Sequence, residues 1–233
     1  MNTSAKLSFK EKLGYGLGDT ASNIFFQFVN IFLLYYYTDV FGLSPAAVGT
    51  LFVVTRFWDA INDPLMGAVA DRTNTRWGKY RPYMLWMAVP FGLFGYLAFA
   101  NPDFSQTGKL IYAYVTYVGL MMAYTAINVP YSALMGVMTP SSEERTSLSS
   151  FRFVGAFSGT LLISLSVRPL VRLLGGGDEA LGFKLTMALL SIIAVLLFII
   201  TFCTTKERVK PLVNKEGTSL AKDIQFLFKN RHG

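Results

Sequence analysis

Four stretches of this 233-residue chain, residues 20 to 38, 83 to 100, 110 to 138 and 185 to 205, contain no Asp, Glu, Lys or Arg at all. Each is near or above the roughly 18 residues at which an apolar run reads as a helix crossing a bilayer. Two more spans carry a few charges. Residues 40 to 70 are apolar except for Arg56, Asp59 and Asp63, and residues 153 to 174 except for Arg168 and Arg172. The composition agrees, with 52% hydrophobic and 15% charged residues, whereas soluble domains carry roughly 25% charged residues. These runs predict an all-α membrane protein with six helices, at about 20–41, 46–70, 83–101, 109–135, 152–174 and 184–205. The expected organisation is an amino-terminal segment over 1–19, a bundle over 20–205 and a linker over 206–233.

An even number of spans returns both termini to one side, and Lys and Arg say which side, because short loops rich in them stay cytoplasmic. Of the 21 Lys and Arg, sixteen fall on the amino segment, the loops after the second and fourth spans, and the carboxyl tail. Four fall on the other side, and Arg56 lies within the second span. Both ends are therefore expected in the cytoplasm of a cell whose plasma (inner) membrane holds the bundle. The net charge of +7 records that topology, and no nucleic-acid partner is inferred from it. The single Cys203 excludes a disulfide within the chain.

The second span is the informative one. In RFWDAINDP, residues 56 to 64, Asp59, Asn62 and Asp63 fall at i, i+3 and i+4 and share one helix face, with Thr55 and Arg56 a turn earlier. An acidic side chain at bilayer depth costs about 2.5–3.5 kcal/mol on insertion scales, so such groups face the bundle interior and mark ion or proton pathways. Two carboxylates a turn apart repel unless a cation or proton sits between them. Carboxylate and amide oxygens are hard ligands that suit sodium or a proton relay. Pro64 leaves the Ala60 carbonyl without its helical partner and available as another oxygen donor.

The fourth span answers it. In AYTAINVPYSAL, residues 123 to 134, Thr125, Asn128 and Ser132 share a face. The first span adds Asp19, Asn23, Gln27 and Asn30 as a polar stripe, suited either to a sugar or to a wet cavity wall. The loop GAVADRTNTRWGKYRP, residues 67 to 82, concentrates Asp71, Arg72, Arg76, Lys79 and Arg81 and reads as a charge clamp, a cytoplasmic gate between two halves of a bundle. The fifth span begins SSFRFVGAFSG, with Arg152 entering the membrane and Gly155 and Gly159 forming a small-residue face for close helix contact.

GYGLGD, YYYTDVFGLS, WDAINDP, ADRTNTRWGKYRP, AYTAINVPY and ERTSLSSFRF, in that order, resemble the amino-terminal half of the glycoside-pentoside-hexuronide:cation symporters, the melibiose-permease-like branch of the major facilitator superfamily. The resemblance implies one half of a twelve-helix transporter that moves sugar together with sodium, lithium or a proton, without a cofactor. It maps a cation site to Asp59, Asn62, Asp63 and Thr125, and a sugar site to Asn23, Tyr124, Asn128, Ser132 and Arg152. Where melibiose permease has two aspartates and a tryptophan, this chain has Asn23, Asn128 and Ser132, which points away from galactosides and toward a uronide or a pentoside. The family continues with six more helices, and the polypeptide here is expected to need that carboxyl-terminal half as a partner. Two rivals stand beside this reading. Gly16-Leu17-Gly18-Asp19 matches the pattern of intramembrane aspartyl proteases, but Asp19 is expected at the cytoplasmic edge and the membrane-embedded acid pair shares one helix. An inactive half, an assembly subunit or an ion channel would show no sugar transport.

Overall fold

A computed structural model describes residues 6–209, and within them the chain is helical apart from short connections. The expected linker falls beyond the described residues from residue 210 onward, as does SLAKDIQFLFKN, read as a surface helix. Helix α1 (Phe9–Tyr35) runs into one π-helical turn (Tyr36–Val40), and α2 (Pro45–Arg72) returns. Helices α3 (Arg81–Trp86) and α4 (Ala88–Ala98) make one interrupted crossing, followed by α5 (Gln106–Met138), α6 (Ser142–Gly175) and α7 (Glu179–Thr204). The result is the expected all-α membrane bundle of six crossings.

Four crossings, Phe9–Val40, Gln106–Met138, Ser142–Gly175 and Glu179–Thr204, are long and apolar enough to span on length and composition alone. The other two depart for physical reasons. Helix α2 carries Arg56, Asp59 and Asp63. The α3–α4 crossing breaks at Met87, because Pro90 has no N–H to offer the carbonyl of Trp86 four residues back.

The helices also begin earlier than the uncharged runs. Helix α1 starts at Phe9 where about residue 20 is expected, α6 at Ser142 where 152 is expected, and α7 at Glu179 where 184 is expected. Most of the expected amino-terminal segment over 1–19 is therefore helix. Capping explains the difference. The Ser8 hydroxyl accepts from the Glu11 N–H at 3.3 Å while the Glu11 carboxylate accepts from the Ser8 N–H at 3.1 Å, a reciprocal box. The Ser141 and Asp178 side chains accept from the Glu144 and Leu181 N–H groups, without the reciprocal bond. Apolar length reports the bilayer; polar caps report where the helix starts.

Helix α1 lies against α6 and α7, while α5 holds α2 and α4. Lipid tails are as apolar as leucine, so helices in a bilayer associate through close packing and hydrogen bonds more than through the hydrophobic effect. The α1–α6 contact shows this. A Cβ added at Gly159 would lie 3.0 Å from the Thr20 carbonyl oxygen, and one at Gly155 would collide with the Gly16 carbonyl. Thr20 Oγ1 donates to the Gly155 carbonyl at 3.0 Å across the seam. Behind it sits an aromatic core, with Phe25 and Phe91 ring centroids 4.1 Å apart and Phe28 edge-on to Phe99 at 4.7 Å. Helix α2 is different: only Val48, Leu51, Thr55 and Ala70 are buried along its whole length.

Both ends of the described chain meet at one end of the bundle, as an even number of crossings requires. Arg208 reaches Glu11 at 2.6 Å and Lys12 reaches Glu144 at 3.0 Å.

Candidate functional site

The acidic face of α2 meets α5. Thr125, buried on α5, donates through Oγ1 to Asp63 Oδ1 at 2.9 Å. One turn away Asp59 is half-buried, and its Oδ1 is buried with no hydrogen-bond partner among the described residues. Leaving a buried carboxylate oxygen unpartnered is expensive, so this atom is where a cation or a proton gains most. Asn62 is half-exposed on the same face by its spacing. Of the four residues mapped to the cation site, the structure joins Asp63 and Thr125 directly and sets Asp59 and Asn62 beside them on α2.

The sugar set lies across α1, α5 and α6. Ser22 Oγ donates to Asn128 Oδ1 at 2.9 Å, and Asn128 Nδ2 donates to the Tyr124 carbonyl at 3.0 Å, so this amide ties α1 to α5. Asn23 Nδ2 donates to the Asp19 carbonyl at 2.9 Å. The Tyr124 ring stacks on Phe26 with centroids 5.9 Å apart, and Ser132 is exposed on α5. Arg56 from α2 lines a small cavity of about 20 Å³ together with Asn30, Phe26 and Tyr124. Arg56 thus brings the acidic face of α2 beside Tyr124 of α5.

Arg152 holds a place the sequence does not announce. Its Nε donates to Asp19 Oδ2 at 2.5 Å and its Nη2 to Asp19 Oδ1 at 3.4 Å. The Tyr131 hydroxyl shares its one proton between the Tyr15 carbonyl at 2.5 Å and Asp19 Oδ2 at 3.2 Å, while Tyr15 donates to the Tyr131 carbonyl at 3.1 Å. The two tyrosine rings stack at 4.7 Å, and the guanidinium lies over that of Tyr131 at 5.0 Å. Asp19, expected at the cytoplasmic edge, is buried within this cluster, and the stripe from Asp19 to Asn30 is not one open face. Tyr15 and Tyr131 are absent from the sequence-based set. Their only signals are the i, i+4 spacing of Tyr15 with Asp19 and the position of Tyr131 beside Pro130.

The loop residues read as a gate are placed at the terminal end. Asp71 pairs with Lys79 at 3.1 Å and accepts from the Tyr80 hydroxyl at 2.7 Å. Burial, with the carboxylate beside it, pushes the Tyr80 phenol above its ordinary range. Arg81 turns inward, donating to the carbonyls of Trp77 at 3.0 Å and Phe202 at 2.7 Å. Arg76 lies over the Trp77 ring at 4.6 Å, and Arg72 closes α2. Glu207, which no motif flags, accepts from the backbone N–H of Lys79, Tyr80 and Arg81 at 2.8, 2.7 and 2.9 Å. It approaches so closely that Gly78, at φ +114°, has no room for a side chain.

Comparison with known proteins bears on this geometry. The chain is 47% identical over 227 residues to "Inner membrane symporter YicJ" of Escherichia coli (strain K12), covering 97% of this chain and 49% of that protein. It is 49% identical over 225 residues to "Putative glycoside/cation symporter YagG" of the same strain, with the same 97% and 49% shares. It is 40% identical over 225 residues to "Isoprimeverose transporter" of Lactiplantibacillus pentosus, covering 95% of this chain and 47% of that protein. The chain spans about half the length of these curated relatives. The pattern described as MFS/sugar transport protein matches residues 14–232, a stretch that takes in Asp19, Asp59, Asp63, Thr125 and Arg152, and the chain belongs to that family.

Proposed function

We propose that these six helices are one half of a symporter that moves a glycoside, of pentoside or uronide type, together with sodium, lithium or a proton. The observation that carries the proposal is the pair of acids on α2: Asp63 already engaged by Thr125, and Asp59 with a buried oxygen lacking a partner. Asp59, Asn62, Asp63 and Thr125 hold the cation; Asn23, Tyr124, Asn128, Ser132 and Arg152 meet the sugar. A cation between the two acids relieves their repulsion and firms α2 against α5. Through Arg56, which adjoins Tyr124 and Asn30, the sugar then finds its cavity organised. Each ligand raises the affinity for the other by the same factor. Alternating access follows when a second six-helix half, the opposite wall of the cavity, rocks against this one. Asp71, Arg72, Arg76 and Lys79 face that half at the cytoplasmic end and act as its gate, with Arg81 anchoring the loop. Both termini lie in the cytoplasm, and the bundle sits in the inner membrane.

Uptake of labelled glycosides into vesicles carrying the completed twelve-helix carrier tests this. The expected result is accumulation driven by an inward sodium, lithium or proton gradient and lost when the gradient is collapsed. Uptake that only equilibrates the sugar, whatever cation is supplied, would contradict it.

A further inference from the structure

Arg152 is held by a cluster that the symport reading does not need for its own sake. Its Nε and Nη2 are spent on the two oxygens of Asp19. The rest of the guanidinium lies beside the Tyr15 phenol, and the side chain stays 26% exposed. Asp19 is fixed from the other side by the Tyr131 hydroxyl, itself bonded to the Tyr15 carbonyl. The seam that brings Arg152 here is the close approach of Gly155 and Gly159 to α1. Asn23, one turn along α1, donates to the carbonyl of Asp19 itself. One carboxylate thus touches, directly or through its own backbone, two residues of the sugar set.

We infer that Asp19 is a positioning residue for sugar binding: its carboxylate, steadied by Tyr131, orients the Arg152 guanidinium so that its exposed part donates to the glycoside. This rests on the sugar-site reading above. A freely rotating arginine carries about 2 kcal/mol of rotamer entropy, and a guanidinium docked in advance loses less of it on binding sugar. The pair also keeps the charge of the half-buried arginine compensated, where an unpaired guanidinium is costly.

The test uses the complete carrier. Asp19→Asn keeps size but loses the charge-assisted bonds, and it should raise KM for glycoside on the order of tenfold, what losing one such bond implies. The maximal rate of sugar exchange should stay within about twofold, since no step after binding uses the pair. Asp19→Glu should restore most of the affinity. In the Arg152→Gln background, Asp19→Asn should add almost nothing, because it acts through that arginine. A purely structural role would instead lower the amount of carrier in the membrane with KM unchanged. If Asp19→Asn does not insert, Tyr131→Phe, which removes one hydroxyl from the carboxylate, should raise KM about threefold, the effect of one ordinary hydrogen bond. An unchanged KM in whichever variant inserts, or additive effects with Arg152→Gln, overturns the inference and leaves the symport reading standing. A parent carrier that takes up no glycoside overturns both.

Discussion

The α1–α6 seam and the α2–α5 contact are built on opposite plans. Along the first, glycines bring two backbones together, Thr20 bonds across the gap, and both oxygens of Asp19 are engaged by Arg152. Along the second, a helix with four buried residues meets its neighbour through a hydroxyl–carboxylate bond, and among the described residues an acid oxygen is left buried without a partner. A network with its polar groups satisfied is rigid before any ligand arrives, whereas a half-satisfied one is completed by what binds it. In the proposed function the seam is the frame against which sugar is read, and α2 is the element whose position the cation sets.

Several substitutions break or sharpen that contrast. The largest effect concerns the whole: these helices expressed alone should accumulate no sugar, and co-expression with a six-helix second half should restore uptake in vesicles. Accumulation by the lone bundle, shown monomeric by crosslinking, would contradict the half-carrier account. Next, Asp59→Asn or Asp63→Asn should lower cation-driven accumulation on the order of 100-fold, toward the upper end of ordinary coupling free energies, while leaving some sugar exchange. Neither change disturbs the seam, so the thermal midpoint of the purified protein should stay put.

The seam should show the reverse pattern. Gly155→Leu forces apart backbones that have no room for a Cβ and should destabilise the bundle by about 1–3 kcal/mol, read as a lower melting temperature in detergent. A smaller effect belongs to Thr125→Val, which removes the one bond from α5 to Asp63. Cation affinity should fall about tenfold, in line with about 1.5 kcal/mol for a hydrogen bond to a charged group, and titration of cation-stimulated sugar binding would read it. The smallest belongs to Glu207→Gln. It weakens three backbone contacts at the terminal end and should lower stability by about 1 kcal/mol without altering ligand affinity.

The two plans were not equally legible in the sequence. The face of α2 follows from spacing within one helix, so Asp59, Asn62 and Asp63 could be grouped from the residues alone. The six crossings follow from apolar length, four of the runs being free of charge, while their ends do not, because Ser8, Ser141 and Asp178 sit outside the apolar runs they cap. The break at Met87 lies inside an uninterrupted apolar run, where only Pro90 hints at it. The seam joins residues far apart in sequence. Asp19 and Arg152 stand 133 positions apart and Tyr131 a further helix away, and no local pattern announces such a pairing. Asp19 therefore reads as one more polar residue in a stripe, and Glu207 as one more tail charge.

Amide hydrogen exchange on the completed carrier in lipid tests the contrast most directly, comparing the absence of coupling ion with saturating sodium, saturating lithium and lowered pH corrected for intrinsic exchange. The account predicts that one of these slows exchange around residues 55–67 of α2 and the facing turns of α5. Exchange near Gly16–Asn23 of α1 and Arg152–Gly159 of α6 should stay unchanged, and the α2 response should vanish in Asp59→Asn. Equal slowing in both regions, or slowing confined to the α1–α6 seam, would contradict it.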